Sequence, residues 1–238
     1  MSGTSFKYSG NAELNSIEQN FEKYNQFIVE KIRKNLQFDG NEPKRILDYG
    51  AGRGGIAEIL KNKAQIHAEC LELDRNNLAL LKSKGFTCHS DLEKVEGNFD
   101  FIYTINVLEH IENDSKTIQD LHKKIKKEGK LLVYVPAFPK LFNDFDTHLG
   151  HYRRYEKINL EKLLANNGFQ IETSEFVDSI GYFAWRITKK NKNGHQPVLD
   201  EILLKIYSHI CWPISRILDK IGFNKWFGKN LLVIANRK

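Results

Sequence analysis

The chain has 238 residues, a length that suits one domain with a sizeable core and would leave two full domains cramped. Hydrophobic residues make up 41% of it and aromatic residues 11%, which excludes an intrinsically disordered chain. The formal net charge is +6. Its lysines do not interleave with aromatic residues in one stripe, so no nucleic-acid partner is expected.

The spacing of the cysteines and the N-terminal residues indicate the cellular compartment. The three cysteines, Cys70, Cys88 and Cys211, are scattered and have neither a disulfide framework nor zinc-binding spacing. Residues 1–7 lack the apolar core of a signal peptide, and no stretch approaches the roughly 18 uninterrupted apolar residues of a membrane span. We therefore expect a cytoplasmic protein.

The first predicted element is a helix over about residues 15–37. Apolar and aromatic side chains fall at helical intervals on one face, at Ile17, Phe21, Tyr24, Ile28 and Ile32. Residues 39–43, which contain a glycine and a proline, should end this helix before the first strand.

Residues 45–55 are the most informative stretch. A short apolar run ends at Asp48, and glycine follows at positions 50, 52, 54 and 55. Glycine lacks a Cβ and tolerates positive φ, so backbone amides of this loop can approach a ligand closely. Residues 56–60 have apolar positions at helical spacing, so the loop opens a helix whose N-terminus carries partial positive charge. Open α/β sheets hold nucleotide-like cofactors in this way.

The glycine loop alone leaves two cofactors open. Gly50, Gly52 and Gly55 also satisfy the dinucleotide fingerprint GxGxxG. Residues 67–74 are predicted to form the second strand, and a carboxylate at its end could accept hydrogen bonds from the ribose hydroxyls of NAD or of an adenosyl cofactor. Asp74 is expected to cap the next helix instead.

Two further predicted strands separate these possibilities. Residues 85–92 suggest a third strand ending in an acid, and residues 98–110 supply a fourth that runs on into Leu-Glu-His. With the glycine loop, they resemble the class I S-adenosylmethionine-dependent methyltransferases. The family pattern is D/E-x-G-x-G-x-G, an acid ending strand two, Asp after strand three and FD followed by LEH. It matches residues 48–54, 72, 91 and 99–110 in order and spacing.

This resemblance implies that the cofactor is S-adenosyl-L-methionine and names the residues that bind it. The loop would lie against the methionine part, Glu72 would take the ribose hydroxyls, and Asp91 would accept from the adenine amino group. Asn106 would sit near the transferred methyl. The implied set is Asp48, Gly50, Gly52, Gly54, Glu72, Leu73, Asp91, Leu92 and Asn106. The opening helix would cover the cofactor edge, where Tyr24 could contribute, although a core position is favoured.

Strands and helices continue to alternate, with predicted strands five, six and seven at residues 129–136, 168–173 and 230–235. The expected fold is a Rossmann-like α/β domain with helices on both faces of a seven-stranded, mostly parallel sheet. If the resemblance holds, the last strand is antiparallel. The single domain, 1–238, would comprise an N-terminal helical cover (1–43), a cofactor-binding core (44–176), a helical insertion (177–229) and the last strand (230–238).

Residues 144–155 are the best candidate for acceptor binding, because ligands of open α/β sheets sit beyond the carboxyl ends of strands. The imidazole of His151, or that of His148, could be a general base. Arginine forks could bind a phosphate or carboxylate, and tyrosine rings could stack on a sugar or aromatic ring. The predicted acceptor-binding residues are His148, Tyr152, Arg153, Arg154 and Tyr155. Alternatively, the arginines simply hold Asp144 and Asp146 in an ion-paired lid.

The same segment resembles the GHxRRY stretch of some bacterial methyltransferases of the ubiquinone/menaquinone type, which look like modifiers of sugars or lipid-linked glycans. We therefore expect methyl transfer to a hydroxyl, in preference to an amine, of a small-molecule, sugar or lipid-linked acceptor, which could be anionic. The alternatives are an NAD(P)-dependent oxidoreductase and an RNA 2′-O-methyltransferase. A cofactor-sensing protein without activity would lack such a crowded acceptor segment.

Glu109 and His110 raise the question of a metal. Small-RNA 2′-O-methyltransferases bind a metal through a glutamate, a Glu-His pair and a further histidine, and in this chain Asn106 stands where the first glutamate would be. We therefore predict no obligatory metal, with His110 in a packing role.

The segment before the last strand contains an apolar stripe with basic residues nearby. The stripe comprises Val198, Leu199, Ile202, Leu203, Ile206, Ile210, Ile214, Ile217, Leu218 and Ile221. Packing on the sheet or a dimer contact is favoured, and peripheral membrane contact through residues 198–226 is the other possibility. The protein would be a monomer or a homodimer.

Overall fold

The strands of this protein form one twisted sheet in a computed structural model that describes residues 22–36, 44–188 and 205–238. The strands are β1 (Ile46–Tyr49), β2 (Ala68–Leu71), β3 (Cys88–His89), β4 (Phe99–Ile105), β5 (Ile125–Pro136), β6 (Phe169–Val177) and β7 (Asn230–Arg237). Their order across the sheet is β3-β2-β1-β4-β5-β7-β6. Neighbouring pairs from β3 to β5 are parallel, whereas β7 is antiparallel to both β5 and β6. The predicted seven-stranded α/β fold is confirmed.

Helices cover both faces of the sheet. They are α1 (Glu22–Asn35), α2 (Gly55–Ala64), α3 (Arg75–Ser83), α4 (Asp114–Lys124), α5 (Asp144–His148), α6 (Lys157–Asn166), α7 (Ser179–Thr188) and α8 (Trp212–Lys220). A π-helical turn, Tyr207–Cys211, precedes α8, and short 3-10 turns occupy Leu108–His110, Pro139–Leu141 and Phe223–Lys225. No described helix has both the length and the apolar character needed to cross a membrane.

Successive side chains of the central strands pack on opposite faces of the sheet, so the core has two parts. Ile102 and Val133 pack on one face in a cluster that includes apolar residues of α4 and α6. Tyr103 and Leu132, their neighbours in sequence, lie in the cluster on the other face with residues of α1 and α2. Successive side chains of a strand point to opposite faces, so both faces of β4 and β5 are apolar and buried, as in other sheets covered on both sides.

Several predicted boundaries differ from the structure. Strand three comprises two residues rather than the stretch 85–92. Strand β5 begins at Ile125, directly after α4, and not at the predicted residue 129. Strand β6 extends to Val177, beyond the predicted end at residue 173. Of the opening helix, residues 15–21 and 37 lie outside the described residues, as do residues 39–43.

The segment before β7 does not pack its isoleucines on the sheet. Ile206, Ile210, Ile214, Ile217 and Ile221 are 45–69% exposed, whereas Trp212 is buried against Tyr24 and Phe27 of α1. Sheet packing, one half of the favoured prediction, is therefore wrong for these five residues, and the dimer contact stays a prediction. The first four residues of the predicted stripe, from Val198 to Leu203, lie outside the described residues.

Candidate active site

A cavity of about 400 Å³ opens at the carboxyl ends of the parallel strands. The strand ends contribute to its lining. The residues are 48–53 at the end of β1, 71–73 at the end of β2, 105–107 at the end of β4 and Pro136 at the end of β5. This is the edge at which open α/β sheets bind their ligands. The position of the strands therefore accounts for the position of the cavity.

Two glycines of the loop after β1 have separate steric reasons to be glycine. Gly50 has a φ of 81°, and a Cβ there would lie 2.4 Å from Cγ2 of Val107. Gly54 has a φ of 89°, and a Cβ there would lie 2.6 Å from Cδ2 of Leu81, in α3. Gly50 and Gly52 line the cavity, but Gly54 is buried at the start of α2 and does not. Gly54 thus serves helix packing, and its contact with the cofactor stays a prediction.

Two acids in the cavity wall are held by hydrogen bonds. Asp48 is buried and accepts a hydrogen bond from the Tyr103 hydroxyl at 2.9 Å, and burial raises its pKa to about 7. The carboxylate of Glu72 accepts from the backbone amides of Gly52 and Asp74, each at 2.7 Å. Burial nevertheless raises the pKa of Glu72. The Glu72 carboxylate therefore has a fixed orientation at the end of β2.

The side chain of Asp74 caps α3, as predicted, by accepting from the amides of Asn76 and Asn77. Asp91 and Leu92 are placed differently from expectation. Asp91 is paired with Lys94 at 3.3 Å, Leu92 packs against the core, and neither lines the cavity. Leu73 does line it and is 52% exposed.

Asn106 follows β4 in a left-handed conformation, with a φ of 53°. Asparagine tolerates this region better than most residues that have a Cβ. Its backbone amide donates to the carbonyl of Tyr134 at 2.8 Å, and this hydrogen bond holds the turn. The residue lines the cavity. Its predicted location beside the reacting methyl fits this position.

The segment 144–155 is both ion-paired and part of the cavity wall. Arg154 and Asp146 are buried, with Nε of Arg154 2.9 Å from Oδ2 and its Nη2 2.8 Å from Oδ1 of Asp146. Asp146 also accepts the backbone amide of Asn143, which caps α5. Nδ1 of His151 lies 2.9 Å from Oδ1 of Asp146. Burial alone would raise the pKa of Asp146, but its bonds to His151 and Arg154 lower it.

Four other predicted acceptor-binding side chains do not line the cavity. Arg153 pairs with Asp114 at 3.0 Å, rather than with Asp144. Tyr155 is buried with its hydroxyl 2.8 Å from Asp114 Oδ2. Tyr152 is 57% exposed, and His148 is exposed as well. Of the predicted residues in this segment, His151 and Arg154 reach the cavity.

Glu109, His110 and His151 form a cluster in the cavity wall. The two imidazole rings meet edge to face with centroids 4.6 Å apart. Burial, and to a smaller extent the charge of the neighbouring His151, lowers the pKa of His110 to about 4. Burial raises the pKa of Glu109 to about 8, and neither carboxyl oxygen has a hydrogen-bond partner among the described residues. One potential ligand atom from each of the three residues lies within 4.8 Å of the other two, a spacing that could hold a cation. Sequence reasoning had not linked His151 to this pair.

No sequence pattern indicates Asp178 and Lys229, which also line the cavity. They flank β6 and β7, and Val177 and Pro136 both pair with Asn230, so the end of β6 and the start of β7 adjoin the end of β5. The amide of Lys229 donates to the carbonyl of Asp178 at 2.9 Å. The Lys229 ammonium lies 4.6 Å from the ring centroid of Trp185, and burial lowers its pKa.

The sequence matches a model of the methyltransferase domain family over residues 20–174. Because the match covers more than half of the chain, this protein belongs to that family. It is a class I S-adenosylmethionine-dependent methyltransferase.

Individual proteins agree with this assignment. The chain is 29% identical over 197 residues to a phosphoethanolamine N-methyltransferase of Plasmodium falciparum, covering 76% of this chain and 71% of that one. It resembles the crystal structure of a S-adenosylmethionine-dependent methyltransferase from Archaeoglobus fulgidus with a TM-score of 0.58 and 18% identity, over 90% and 94% of the two chains. It also resembles the structure of phosphoethanolamine N-methyltransferase 2 of Haemonchus contortus in complex with S-adenosyl-L-methionine. The TM-score is 0.61 and the sequence identity 17%, over 99% of this chain and 58% of that one.

The family resolves the ambiguity of the glycine loop in favour of S-adenosylmethionine over a nicotinamide dinucleotide. The residues present fit this cofactor. Gly50 and Gly52 line the cavity with backbone alone, and the buried carboxylate of Glu72 is oriented at the cavity by two backbone amides. Such an acid is suited to accept from ribose hydroxyls.

Proposed function

We propose that this methyltransferase acts on a small acceptor that carries both an amine and an anionic group. The observation that carries the proposal is the presence of a cation, Lys229, in the same cavity as the Asp146–His151 pair. The relatives named as phosphoethanolamine N-methyltransferases support an acceptor of this kind. An amine therefore replaces the hydroxyl expected from the sequence.

Lys229 is the group best placed to bind the anion. Arg154 is already engaged by Asp146, whereas the Lys229 side chain faces the cavity beside the Trp185 ring. Burial of a cation is costly unless an opposite charge compensates it. Asp178 contributes part of that compensation, since its charge raises the pKa that burial lowers. A phosphate or carboxylate on the acceptor would contribute more.

His151 is proposed as the general base. When Nδ1 donates to Asp146, the lone pair of the imidazole is on Nε2, which can then accept a proton. An acceptor amine is protonated at neutral pH and must lose a proton before it can attack. Asp146 would fix the tautomer and orientation of His151, and Arg154 in turn fixes Asp146.

The remaining chemistry is alignment. S-adenosylmethionine, when bound, supplies a methyl group on a sulfonium, so that a C–N bond forms as the C–S bond breaks and its electron pair stays on sulfur. The chain holds the acceptor nitrogen in line by positioning groups around it, which converts the displacement into a step within one complex. Glu109 and Asn106 are in the cavity wall for this purpose.

The acceptor is tested by methyl transfer from labelled S-adenosylmethionine to three matched compounds. Phosphoethanolamine has both groups, ethanolamine lacks the anion, and 2-hydroxyethyl phosphate has a hydroxyl in place of the amine. We expect kcat/KM to be highest for phosphoethanolamine or a related anionic amine and to fall at least tenfold without either group. Lys229→Met should raise KM for the anionic amine and leave KM for ethanolamine unchanged, whereas Lys127→Met, at an exposed position, should change neither. Methylation of the hydroxyl compound alone would overturn the proposal.

A divalent cation held by Glu109, His110 and His151 is the competing use of this cluster, because two imidazoles and a carboxylate are suitable ligands. In that case the metal would bind a hydroxyl of the acceptor and hold it beside the methyl group. We propose instead that turnover has no metal requirement. Activity should survive treatment with EDTA followed by desalting. Activity that is lost and then returns with manganese or magnesium would favour the metal and remove His151 as a free base.

A further inference from the structure

The helix before β7 exposes a continuous apolar stripe. Ile206, Ile210, Ile214, Ile217 and Ile221 recur three or four residues apart along the π-helical turn and α8, so they share one face. Their exposed fractions run from 45% at Ile214 to 69% at Ile221. The opposite face of α8 is anchored in the protein, since Trp212, Ser215 and Asp219 are buried. The exposed stripe therefore belongs to a fixed helix rather than to a frayed end.

Aromatic side chains continue this face just after α8. Phe223 is 43% exposed, Trp226 is 70% exposed and Phe227 is 36% exposed. Phe227 lies 5.7 Å, between ring centroids, from Phe183 of α7, which is 47% exposed. Indole and phenyl rings beside an aliphatic stripe are typical of helices that lie in a membrane interface. We call the five isoleucines and these four rings the apolar face.

The charges around the apolar face are mostly positive. Glu175 of β6, which accepts a hydrogen bond from Asn224, is paired with Lys31. Residues 205–229 contain five basic residues, Lys205, Arg216, Lys220, Lys225 and Lys229, and one acid, Asp219. Asp219 is 3% exposed and is paired with Arg216 at 2.7 Å, so it offers no negative charge to a partner. Lys205, Lys220 and Lys225 are exposed. The apolar face is thus bordered by positive charge.

We propose that the apolar face docks on a membrane surface that contains anionic lipids. Apolar side chains would enter the headgroup boundary while the lysines bind lipid phosphates, and each contribution alone is weak. A second copy of the chain is the less suitable occupant, because a two-fold interface would bring the same exposed lysines together. The described residues include no helix able to span the bilayer, so the contact is peripheral.

Docking would place the active-site cavity close to the lipid surface. Tyr207, next to Ile206, lines that cavity, as does Trp185 of α7, two residues from Phe183. The proposal does not rest on the identity of the acceptor, and membrane binding can be measured without turnover. It would favour acceptors that carry their anionic group at a membrane.

The test is flotation of the full-length protein with vesicles of phosphatidylcholine alone or with 30 mol% phosphatidylglycerol. The first variant is the double substitution Ile217→Asp/Ile221→Asp, and its matched control is Ile158→Asp in α6. Ile158 and Ile217 are both 62% exposed, so both substitutions begin from an equally hydrated side chain. A second variant, Lys220→Glu/Lys225→Glu, removes positive charge and keeps the apolar face. Thermal unfolding and binding of S-adenosylmethionine check that each variant is folded.

We expect wild-type protein and Ile158→Asp to partition at least tenfold more strongly to the anionic vesicles than to the neutral ones. The isoleucine double variant should lose at least tenfold of that binding. The lysine double variant should lose the preference for anionic lipid, as should wild type at 0.5 M salt. The proposal is overturned if wild type floats with neither vesicle. Equal binding of the folded isoleucine variant would also overturn it, and so would a wild-type dimer in analytical ultracentrifugation that this variant converts to a monomer.

Discussion

Of the two histidines in the cavity wall, His151 has an acid that fixes one of its ring nitrogens. Asp146 lies 2.9 Å from its Nδ1, while His110 beside it is held neutral by burial, with a pKa near 4. With a pKa near 4, His110 is too weak a base to hold a proton near pH 7, so proton removal is assigned to His151.

Replacement of His151 by alanine should lower kcat by about 100-fold or more, the usual range for loss of a positioned base. The dissociation constant for S-adenosylmethionine, measured by calorimetry, should change less than threefold, because the cofactor-binding acids follow other strands. His67→Ala is the matched control, since His67 is exposed between α2 and β2. Wild-type turnover in the His151 variant would eliminate it as the base.

Loss of the Arg154–Asp146 ion pair is expected to lower the free energy of unfolding. Both residues are buried, so Arg154→Met would leave an uncompensated carboxylate, a loss that typically costs about 3–5 kcal/mol. Arg153→Met is the control because the Arg153 side chain is 33% exposed, and loss of such a partly exposed pair should cost about 1 kcal/mol or less. Urea unfolding monitored by circular dichroism measures both changes. Equal losses for the two variants would show that burial of the pair is not decisive.

At the scale of elements, the sequence predicted the glycine loop well because its constraints are local. Strand, turn and helix follow one another within a few residues, and the positive φ angles require glycine. Asp74 could be predicted as a cap for the same reason. Strand β3 could not be delimited, because residues 85–92 form only two ladder residues against β2 and the rest is irregular. Asp91, two residues beyond β3, does not line the cavity.

Gly50→Ala should weaken cofactor binding by displacing this loop. Its added Cβ would collide with Val107, which follows β4, in addition to the strain of a φ of 81°. Gly222→Ala isolates the strain, because Gly222 has a φ of 106° and nothing lies within 4 Å of a Cβ there. We expect the dissociation constant for S-adenosylmethionine to rise at least tenfold in Gly50→Ala and to stay unchanged in Gly222→Ala. An unchanged constant in Gly50→Ala would mean that Val107 moves aside.

The whole molecule brings together residues that no local pattern connects. Lys229 and Asp178 reach the cavity because β7 runs antiparallel between β5 and β6, which is a property of the strand order rather than of either residue's neighbours. The sequence indicated an antiparallel last strand by resemblance, but it did not show which residues would then face the site. Exposure of the isoleucine stripe was unpredictable for the same reason, since periodicity reports a face and not its partner.

Two of the buried carboxyls, Asp48 and Glu109, make the stability of the whole molecule sensitive to pH. Burial raises their pKa values to about 7 and about 8, above the ordinary values in an unfolded chain. The folded state therefore binds more protons near neutral pH, so the free energy of unfolding falls as pH rises. His110 has the opposite shift, but its stabilising effect is nearly complete above pH 7 because its unfolded pKa is about 6.5.

We expect the free energy of unfolding of the cofactor-free protein to fall between pH 7 and pH 8.5. In Glu109→Gln this fall should be smaller by on the order of 1 kcal/mol, because one buried acid no longer has to ionise. Glu93→Gln, which removes an exposed carboxyl, should keep the wild-type slope. Urea unfolding at three pH values in the presence of EDTA makes the comparison, since a bound cation would stabilise the ionised Glu109. The same slope in wild type and Glu109→Gln would show that Glu109 is already ionised at pH 7.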